Sequence, residues 1–218
     1  VLDIKTPSNR WDYMSYLGLS REIAACLSDN SLVEPESREN EYLDREVVKV
    51  KERQLCPVFY SVKVKIKNDI NSPKWLVDNL NASGMRSVNP VVDITNFVML
   101  EYGQPSHAYD AKKLKGSLGV RFASEGESLK TLDDKDIKLD TKDLVVVDNS
   151  GPVALAGVMG GLSTEVSETT KNVIIEAANF DPVSIARTAR RHKLHSEASK
   201  RFERGVDWAV AERAAARV

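Results

Sequence analysis

The segment from 89 to 110, NPVVDITNFVMLEYGQPSHAYD, constrains the fold of this chain more than any other stretch. Asn89 can cap a helix whose first residue is Pro90, the position where the missing N–H of proline leaves no hydrogen bond unmade. Apolar residues then recur at roughly helical spacing, which predicts a helix that is buried in the core. These residues are Val91, Val92, Ile94, Phe97, Val98 and Leu100.

The predicted helix ends in a turn that fixes the position of a histidine. Gly103 predicts a left-handed stop and Pro105 forbids continuation, so His107 lies just past the end of a buried helix. A rigid support of this kind is what a functional site needs. The helix also carries Asp93 and Asn96. Because an unpaired buried polar group costs about 1–3 kcal/mol, these side chains either tie down neighbouring backbone or face a pocket.

Charge and composition exclude several classes of protein. The 218 residues include 31 Lys and Arg against 32 Asp and Glu, so bulk charge does not predict a nucleic-acid coat, and only a local basic face stays open. Cys26 and Cys56 lack a CxxC motif, which predicts free thiols in a reducing cytoplasm. No signal peptide or membrane-length apolar run occurs, so no membrane partner is expected. Because the chain starts at Val1 and stops within a predicted helix at Val218, we expect an excised piece of a longer protein.

The sequence of the first part of the chain predicts a separate leader that precedes the main domain. Turn and cap residues predict a helix at about 10–17, an interruption at Gly18, and a second short helix capped by Ser20. Residues 29–54 are polar and predict a linker that ends in a strand at Val47–Val50. A domain boundary is expected near residue 40.

The remainder predicts an α+β fold with mixed or antiparallel sheets packed with helices. Val62, Val64 and Ile66 alternate with Ser61 and three lysines, which predicts a strand over Pro57–Ile66 with one wet face. Further strands are expected at 118–123, 127–131 and 144–147. Long helices do not separate the strands regularly, so a doubly wound sheet is not predicted.

A glycine-rich run and a lone carboxylate are the second and third informative features. Gly151–Gly161, GPVALAGVMGG, lacks the spacing of a nucleotide phosphate loop. Its small residues allow either tight packing of strands or a pocket wall whose N–H groups contact a carbonyl or carboxylate. Val173–Ile175 predicts a buried strand, and Glu176 follows it directly. A carboxylate in that apolar setting must be paired or must serve a ligand.

Cations gather towards the end of the chain. Asp181 and Pro182 predict a helix that ends near His192, and another helix starts at about Ser196. Together these helices predict either one local basic face or ordinary solvated faces with intrahelical ion pairs. His192 and His195 are expected on the surface or facing RNA. The cations at the end of the first helix are Arg187, Arg190, Arg191 and Lys193.

Four motifs occur in an order that resembles one family. They are VVDITNFVMLEYGQPSHAYD, ALAGVMGG, IIEAANFDPVSIARTAR and SEASKRFERGVD. In this order they resemble the central editing module of the bacterial phenylalanyl-tRNA synthetase beta subunit, which is formed by its third and fourth domains. The upstream stretch TPSNRWDYMSYLGLSREIAA resembles the first domain of that subunit. The resemblance implies that 1–40 is the tail of a preceding domain with a linker, and that 41–218 is the editing domain.

The resemblance implies a proofreading hydrolase that removes tyrosine from mischarged tyrosyl-tRNA(Phe). A synthetic site that excludes a hydroxyl from an apolar pocket discriminates only about a hundredfold. A second site that requires the hydroxyl rejects phenylalanine more strongly, because phenylalanine leaves its polar groups unpaired. The alternative is a non-catalytic module that binds an aromatic amino acid or tRNA, or that only packs within the synthetase.

Site residues are implied one by one. Glu176 matches the glutamate that accepts a hydrogen bond from the tyrosine hydroxyl, and Gly160 lines the same ring pocket. Ser196, where the family usually has threonine, and Ala198 bound that pocket. The residues implied at the ester and terminal adenosine are His107, Asn96 and Gly157, and those expected to bind tRNA are Arg190, Arg191 and Lys193.

The implied mechanism needs no Ser/His/Asp triad, for which the sequence offers no case. An aminoacyl ester is already activated, so a positioned water with backbone donors can suffice. No metal or cofactor site is expected in this chain. The resemblance implies a cytoplasmic parent ligase that uses ATP and Mg²⁺, binds tRNA(Phe), and pairs with an alpha subunit in an (αβ)2 heterotetramer.

Overall fold

The computed structural model describes residues 4–28, 31–35, 44–67 and 71–218, and within them the predicted α+β class is confirmed. Two larger sheets and a two-stranded ribbon pack with helices. Among the described residues, no helix is both long and apolar enough to cross a membrane. The helices are α1 (Tyr16–Leu27), α2 (Lys74–Ala82), α3 (Pro90–Tyr102), α4 (Pro182–His192), α5 (Glu197–Phe202) and α6 (Ala211–Arg217).

The strands are β1 (Asp44–Arg45), β2 (Lys49–Val50), β3 (Val58–Lys65), β4 (Ser106–Asp110), β5 (Gly119–Phe122), β6 (Ser128–Lys130), β7 (Asp136–Lys138), β8 (Leu144–Asp148), β9 (Gly151–Leu155), β10 (Met159–Gly160) and β11 (Asn172–Asn179). One sheet has the order β1-β3-β11-β4 and is antiparallel throughout. The other has the order β10-β9-β8-β5-β2, in which only β2 and β5 are parallel. β6 and β7 form the separate ribbon.

Helix α3 forms as its sequence predicts. The side chain of Asn89 accepts a hydrogen bond from the Val92 backbone N–H at 3.0 Å. At the other end, Gly103 adopts a left-handed φ of 77° and closes the helix. Buried Asp93 accepts hydrogen bonds from the Val88 N–H at 2.8 Å and from Ser87 Oγ at 2.6 Å. Asp93 therefore ties down the chain before the helix, which was one of the two alternatives for it.

The four-stranded sheet has two differently covered faces. On one face, residues of β3 and β11 such as Val62 and Ala177 pack against Ala211 and Ala215 of α6. The other face joins the largest core cluster, which also contains residues of the five-stranded sheet. Members of this cluster are Tyr109, Ile174, Ala178, Val120, Val145, Val146 and Leu155. The space between the two sheets is where the candidate site lies.

The N-terminal prediction was wrong about Gly18. This residue lies inside α1, which is capped by Ser15 and follows a short 3₁₀ helix at Trp11–Met14. A Cβ on Gly18 would stand 1.8 Å from the Asp12 carbonyl oxygen. The glycine thus permits a close backbone contact and does not end a helix, and the helix predicted to start at Ser20 is the continuation of α1.

Two predictions about strands also need correction. Val173–Ile175 is only the start of β11, so Glu176 lies within a strand and not after it. Ser61, which was predicted on a wet face, is only 3% exposed, because the five-stranded sheet covers that end of the face. The strand predicted at Val47–Val50 shortens to Lys49–Val50. The expected domain boundary near residue 40 lies outside the described residues.

Candidate functional site

Strand register brings His107 and Glu176 together. In the antiparallel pair β4 and β11, His107 lies directly opposite Glu176, and Tyr109 lies opposite Ile174. Residues that face each other across a strand pair point to the same side of the sheet, and so do residues two apart in one strand. His107, Tyr109 and Glu176 therefore share the face that looks towards the five-stranded sheet.

These three side chains line an inner cavity between the two sheets, with an empty volume of about 420 Å³ that includes its opening to solvent. Most of its remaining wall is apolar, so the polar atoms of Glu176, His107 and Tyr109 stand out in it. The apolar wall includes Val146, Ala154, Leu155, Val158, Met159 and Phe202.

Glu176 is a buried carboxylate with one described partner. It is 6% exposed, and its Oε2 accepts a short hydrogen bond from the Tyr109 hydroxyl. Burial raises the pKa of Glu176 from 4.5 to about 7, while the hydrogen bond from Tyr109 opposes this rise. Among the described residues, none donates a hydrogen bond to Oε1, so this oxygen is available to a ligand.

His107 is a neutral imidazole with an unused nitrogen. Burial lowers the pKa of His107 from 6.5 to about 4, so the ring is uncharged at neutral pH. Its Nε2 is buried and has no hydrogen-bond partner among the described residues. The ring packs edge-on against Tyr109, with centroids 4.5 Å apart. A buried nitrogen that lacks a partner is costly unless a ligand or water supplies one.

A second, outer cavity of about 950 Å³ adjoins the first. The two share a set of wall residues, which we call the throat: Pro105, Ser106, His107, Val158, Met159, Gly160 and Ala198. Asn96 of α3 lines the outer cavity together with Glu165 and Ser196. Asn96 therefore faces a pocket, which was the second of the two alternatives predicted for the polar residues of this helix.

The glycine-rich run serves both packing and the pocket wall. A Cβ on Gly160 would lie 2.5 Å from Cε1 of His107, so only glycine leaves room for the imidazole. Gly157 has a left-handed φ of 64°, and a Cβ there would lie 3.0 Å from ring atoms of Phe180 and Phe202. The free space at Gly157 is thus needed by the aromatic core, while its backbone lines the inner cavity.

Ser196 has its hydroxyl committed to structure. It donates to the Val158 carbonyl at 2.7 Å and accepts from the Ser199 N–H at 3.0 Å, which caps α5. These bonds attach α5 to the glycine-rich wall. Ala198, on the first turn of α5, consequently lines both cavities. The seven residues expected around substrate and ester therefore all lie at the walls of the two cavities.

The expected tRNA-binding cations lie elsewhere. Arg190 and Lys193 are exposed at the end of α4 and line neither cavity. Arg191 forms an ion pair with the fully buried carboxylate of Asp143. His192 was expected on the surface, but its side chain is only 9% exposed and its Nε2 lies 2.6 Å from Asp143 Oδ2.

Sequence reasoning missed two residues that the structure brings forward. Asp143 anchors the end of α4, and nothing in its local sequence marks it as buried. Tyr109 holds the Glu176 carboxylate. Its signal was present, because the spacing His107-x-Tyr109 places both side chains on one face of any strand.

Comparison with known proteins gives the family. A family model described as the B3/4 domain matches residues 55–218. The phenylalanine–tRNA ligase beta subunit of Leifsonia xyli subsp. xyli is 63% identical over 147 residues, which are 67% of this chain and 17% of that protein. The Streptomyces avermitilis subunit of the same name is 48% identical over an alignment of 225 positions, which covers 100% of this chain and 27% of that protein.

The Trichormus variabilis beta subunit is 44% identical to this chain. This chain spans 27% of the length of the Streptomyces relative and 27% of the Trichormus relative. A solved N-terminal fragment of the phenylalanyl-tRNA synthetase beta subunit from Pyrococcus horikoshii aligns with a TM-score of 0.45 and 16% identity, over 86% of this chain and 60% of that one. The family model and the curated relatives agree: the chain belongs to the B3/4 domain family, in the form carried by phenylalanine–tRNA ligase beta subunits.

Proposed function

We propose that this domain hydrolyses the ester of mischarged tyrosyl-tRNA(Phe), reading the tyrosine hydroxyl in the inner cavity. The observation that carries the proposal is the carboxylate of Glu176, which is buried in an apolar cavity and lies opposite His107. The aromatic ring enters the inner cavity, the ester lies at the throat beside His107, and the terminal adenosine of the tRNA occupies the outer cavity.

Selectivity follows from the cost of leaving Glu176 unpaired. A tyrosine phenol donates a hydrogen bond to Oε1 of Glu176, which no described residue occupies. Phenylalanine fills the same space but leaves this oxygen without water or partner. A hydrogen bond to a charged group contributes about 1.5–3 kcal/mol, so the site favours tyrosine by at least about tenfold. Sites that are built to bind a hydroxyl reject the analogue without it.

Hydrolysis at the throat needs a positioned water and no protein nucleophile. The hydroxyl of Ser196 is committed to Val158 and the helix cap, so it is not the attacking group. Neutral His107 offers its free Nε2 to a water or to a ribose hydroxyl, and Asn96 faces the same space from α3. Water adds to the ester carbonyl, tyrosine leaves as the free acid, and the tRNA regains its hydroxyl. The backbone at Gly157 belongs to the same wall.

The proposal includes the setting of the parent protein. The relatives are named as ligase beta subunits, so we place this domain in a cytoplasmic ligase that uses ATP and Mg²⁺ outside this chain. The partners are tRNA(Phe) and an alpha subunit in an (αβ)2 heterotetramer. Exposed Arg190 and Lys193 are the cations best placed for tRNA, since Arg191 is already paired with Asp143.

The test is the deacylation of matched esters by the full-length protein. Tyrosyl-tRNA(Phe) and phenylalanyl-tRNA(Phe) are compared for the wild type, Glu176→Gln and Glu176→Ala. We expect the wild type to favour the tyrosyl ester and both variants to lose most of that preference. Glu127→Gln is the matched control, because Glu127 pairs with Arg121 away from both cavities. Equal preference before and after the change at Glu176 would overturn the proposal.

A second candidate is a module that binds tyrosine without turnover. One observation favours it: the serine of the throat, Ser106, has a buried Oγ with no hydrogen-bond partner among the described residues, so no base is in place to activate it. The same deacylation assay separates the two, because this candidate predicts tyrosine binding by the wild type with no ester hydrolysis above the rate in buffer.

A further inference from the structure

Tyr109 is a fully buried phenol inside the site, and the proposed hydrolysis assigns it no part in selecting the substrate. We propose that Tyr109 is a positioning residue for tyrosine selectivity: its hydroxyl holds Glu176 by Oε2, so that Oε1 stays directed to the phenol of the ligand. This inference rests on the proposed reading of tyrosine by Glu176.

The geometry ties Tyr109 to both Glu176 and His107 in the inner cavity. It is 0% exposed, yet it belongs to the cavity wall. Its hydroxyl donates to Glu176 Oε2, and its ring packs edge-on against His107 at an interplanar angle of 85°. On β4 it lies two residues from His107, diagonally across from Glu176 on β11. One side chain thus restrains the carboxylate and the imidazole together.

Glu176 needs such a restraint because its wall is otherwise apolar. A glutamate side chain has several rotatable bonds, and selectivity requires its free oxygen in one place. Pre-organising a binding group lowers the entropy that the ligand must overcome. The Tyr109 hydroxyl also lowers the pKa of Glu176 against the effect of burial, so it favours the carboxylate form that accepts a hydrogen bond.

The Tyr109 hydroxyl stays protonated at neutral pH. Burial and the neighbouring Glu176 hold the pKa of Tyr109 well above 10, so its hydroxyl keeps the proton. A carboxylate offers about four acceptor positions on two oxygens. One resident phenol therefore does not fill Glu176, and a second phenol can bind to Oε1 without displacing the first.

The experiment uses Tyr109→Phe in the full-length protein, with Tyr102→Phe as the matched control. Tyr102 is also largely buried and donates its hydroxyl to a backbone oxygen, that of Pro35, but it lines neither cavity. Two readouts are taken: the ratio of kcat/KM for the tyrosyl and phenylalanyl esters, and the titration midpoint of the Glu176 carboxyl by carbon NMR. We expect Tyr109→Phe to lower the ratio by about tenfold and to raise the midpoint above the wild-type value. Tyr102→Phe should change neither.

The possible outcomes separate the proposed function from the inference about Tyr109. If the wild type shows no preference for the tyrosyl ester, the proposed function fails, and the NMR midpoint still tests the bond from Tyr109 to Glu176. If the wild type discriminates and Tyr109→Phe keeps both its ratio and its midpoint, only the inference about Tyr109 is overturned. A higher preference in Tyr109→Phe would mean that the resident phenol competes with the ligand, which also overturns it.

One measurement needs no variant and covers the case in which Tyr109→Phe does not fold. The hydroxyl proton of Tyr109 is followed by NMR in the wild type while free tyrosine is added. Positioning predicts that this proton stays hydrogen-bonded and protected at saturation. Its loss to rapid exchange with water on binding would show displacement and would contradict the proposal.

Discussion

Replacing Glu176 by glutamine should change the pH dependence of stability in a way that no exposed carboxylate could. Burial raises the pKa of Glu176 to about 7 in the folded state, against an ordinary value of 4.5. Between these two values the folded protein keeps a proton that the unfolded chain releases. The contribution of Glu176 to stability therefore falls as pH rises through this window, and the loss is complete above pH about 7.

The size of the effect follows from the shift. Each pKa unit corresponds to about 1.36 kcal/mol, so raising the pKa of Glu176 to about 7 corresponds to a stability loss of about 3 kcal/mol. Glutamine has a similar shape and cannot ionise. We expect Glu176→Gln to gain about 3 kcal/mol relative to the wild type between pH 4.5 and pH 8.

The assay is urea unfolding of wild type and variant at intervals from pH 4.5 to pH 8, with the difference in unfolding free energy plotted against pH. Glu127→Gln is the control, because the hydrogen bond from Arg121 holds the pKa of Glu127 below its usual value of 4.5. The stability that Glu127 contributes is therefore in place once pH exceeds about 4.5, so the difference for this variant should stay nearly flat across the assayed range. A flat difference for Glu176→Gln would mean that the carboxylate is solvated or paired, and would refute the reasoning.

Three other perturbations have distinct signatures. The pKa of His107 is lowered to about 4 by burial, so the contribution of His107 to stability should fall as pH drops below 6.5. In urea unfolding, His107→Gln should therefore gain stability relative to the wild type as pH falls from 6.5 to 4. Gly160→Ala places a Cβ 2.5 Å from the His107 ring and 2.8 Å from Leu132. The variant should lose about 1–3 kcal/mol of unfolding free energy and should hydrolyse the ester more slowly. Unchanged rates would contradict a role for this cavity wall. Asp143→Asn removes the buried partner of Arg191, which keeps its contact with solvent and with Asp140. The change should cost about 1–3 kcal/mol in urea unfolding, while the tyrosyl preference of the folded protein persists.

Local chemistry made α3 predictable. The cap at Asn89, the proline that follows it and the left-handed Gly103 act within a few residues, so the sequence contains all the information needed. The cost of burying an unpaired polar group also limited the polar residues of this helix to two roles. Asp93 binds neighbouring backbone, and Asn96 lines a cavity.

Strand register and sheet packing were not predictable in the same way. Ser61 alternates with lysines, yet it is buried because the second sheet covers its end of the strand. The bond from Tyr109 to Glu176 joins residues 67 positions apart. Asp143 meets His192 across 49 positions. Such contacts depend on which strands become neighbours, and periodicity in one stretch does not determine that.

The most direct test of the account is a crystal structure of the full-length protein with tyrosine bound. The ring should lie in the inner cavity, with the phenol oxygen about 2.7 Å from Glu176 Oε1 and the carboxyl end beside His107. Tyrosine bound with its phenol away from Glu176, or only in the outer cavity, would contradict the claim that this carboxylate reads the hydroxyl.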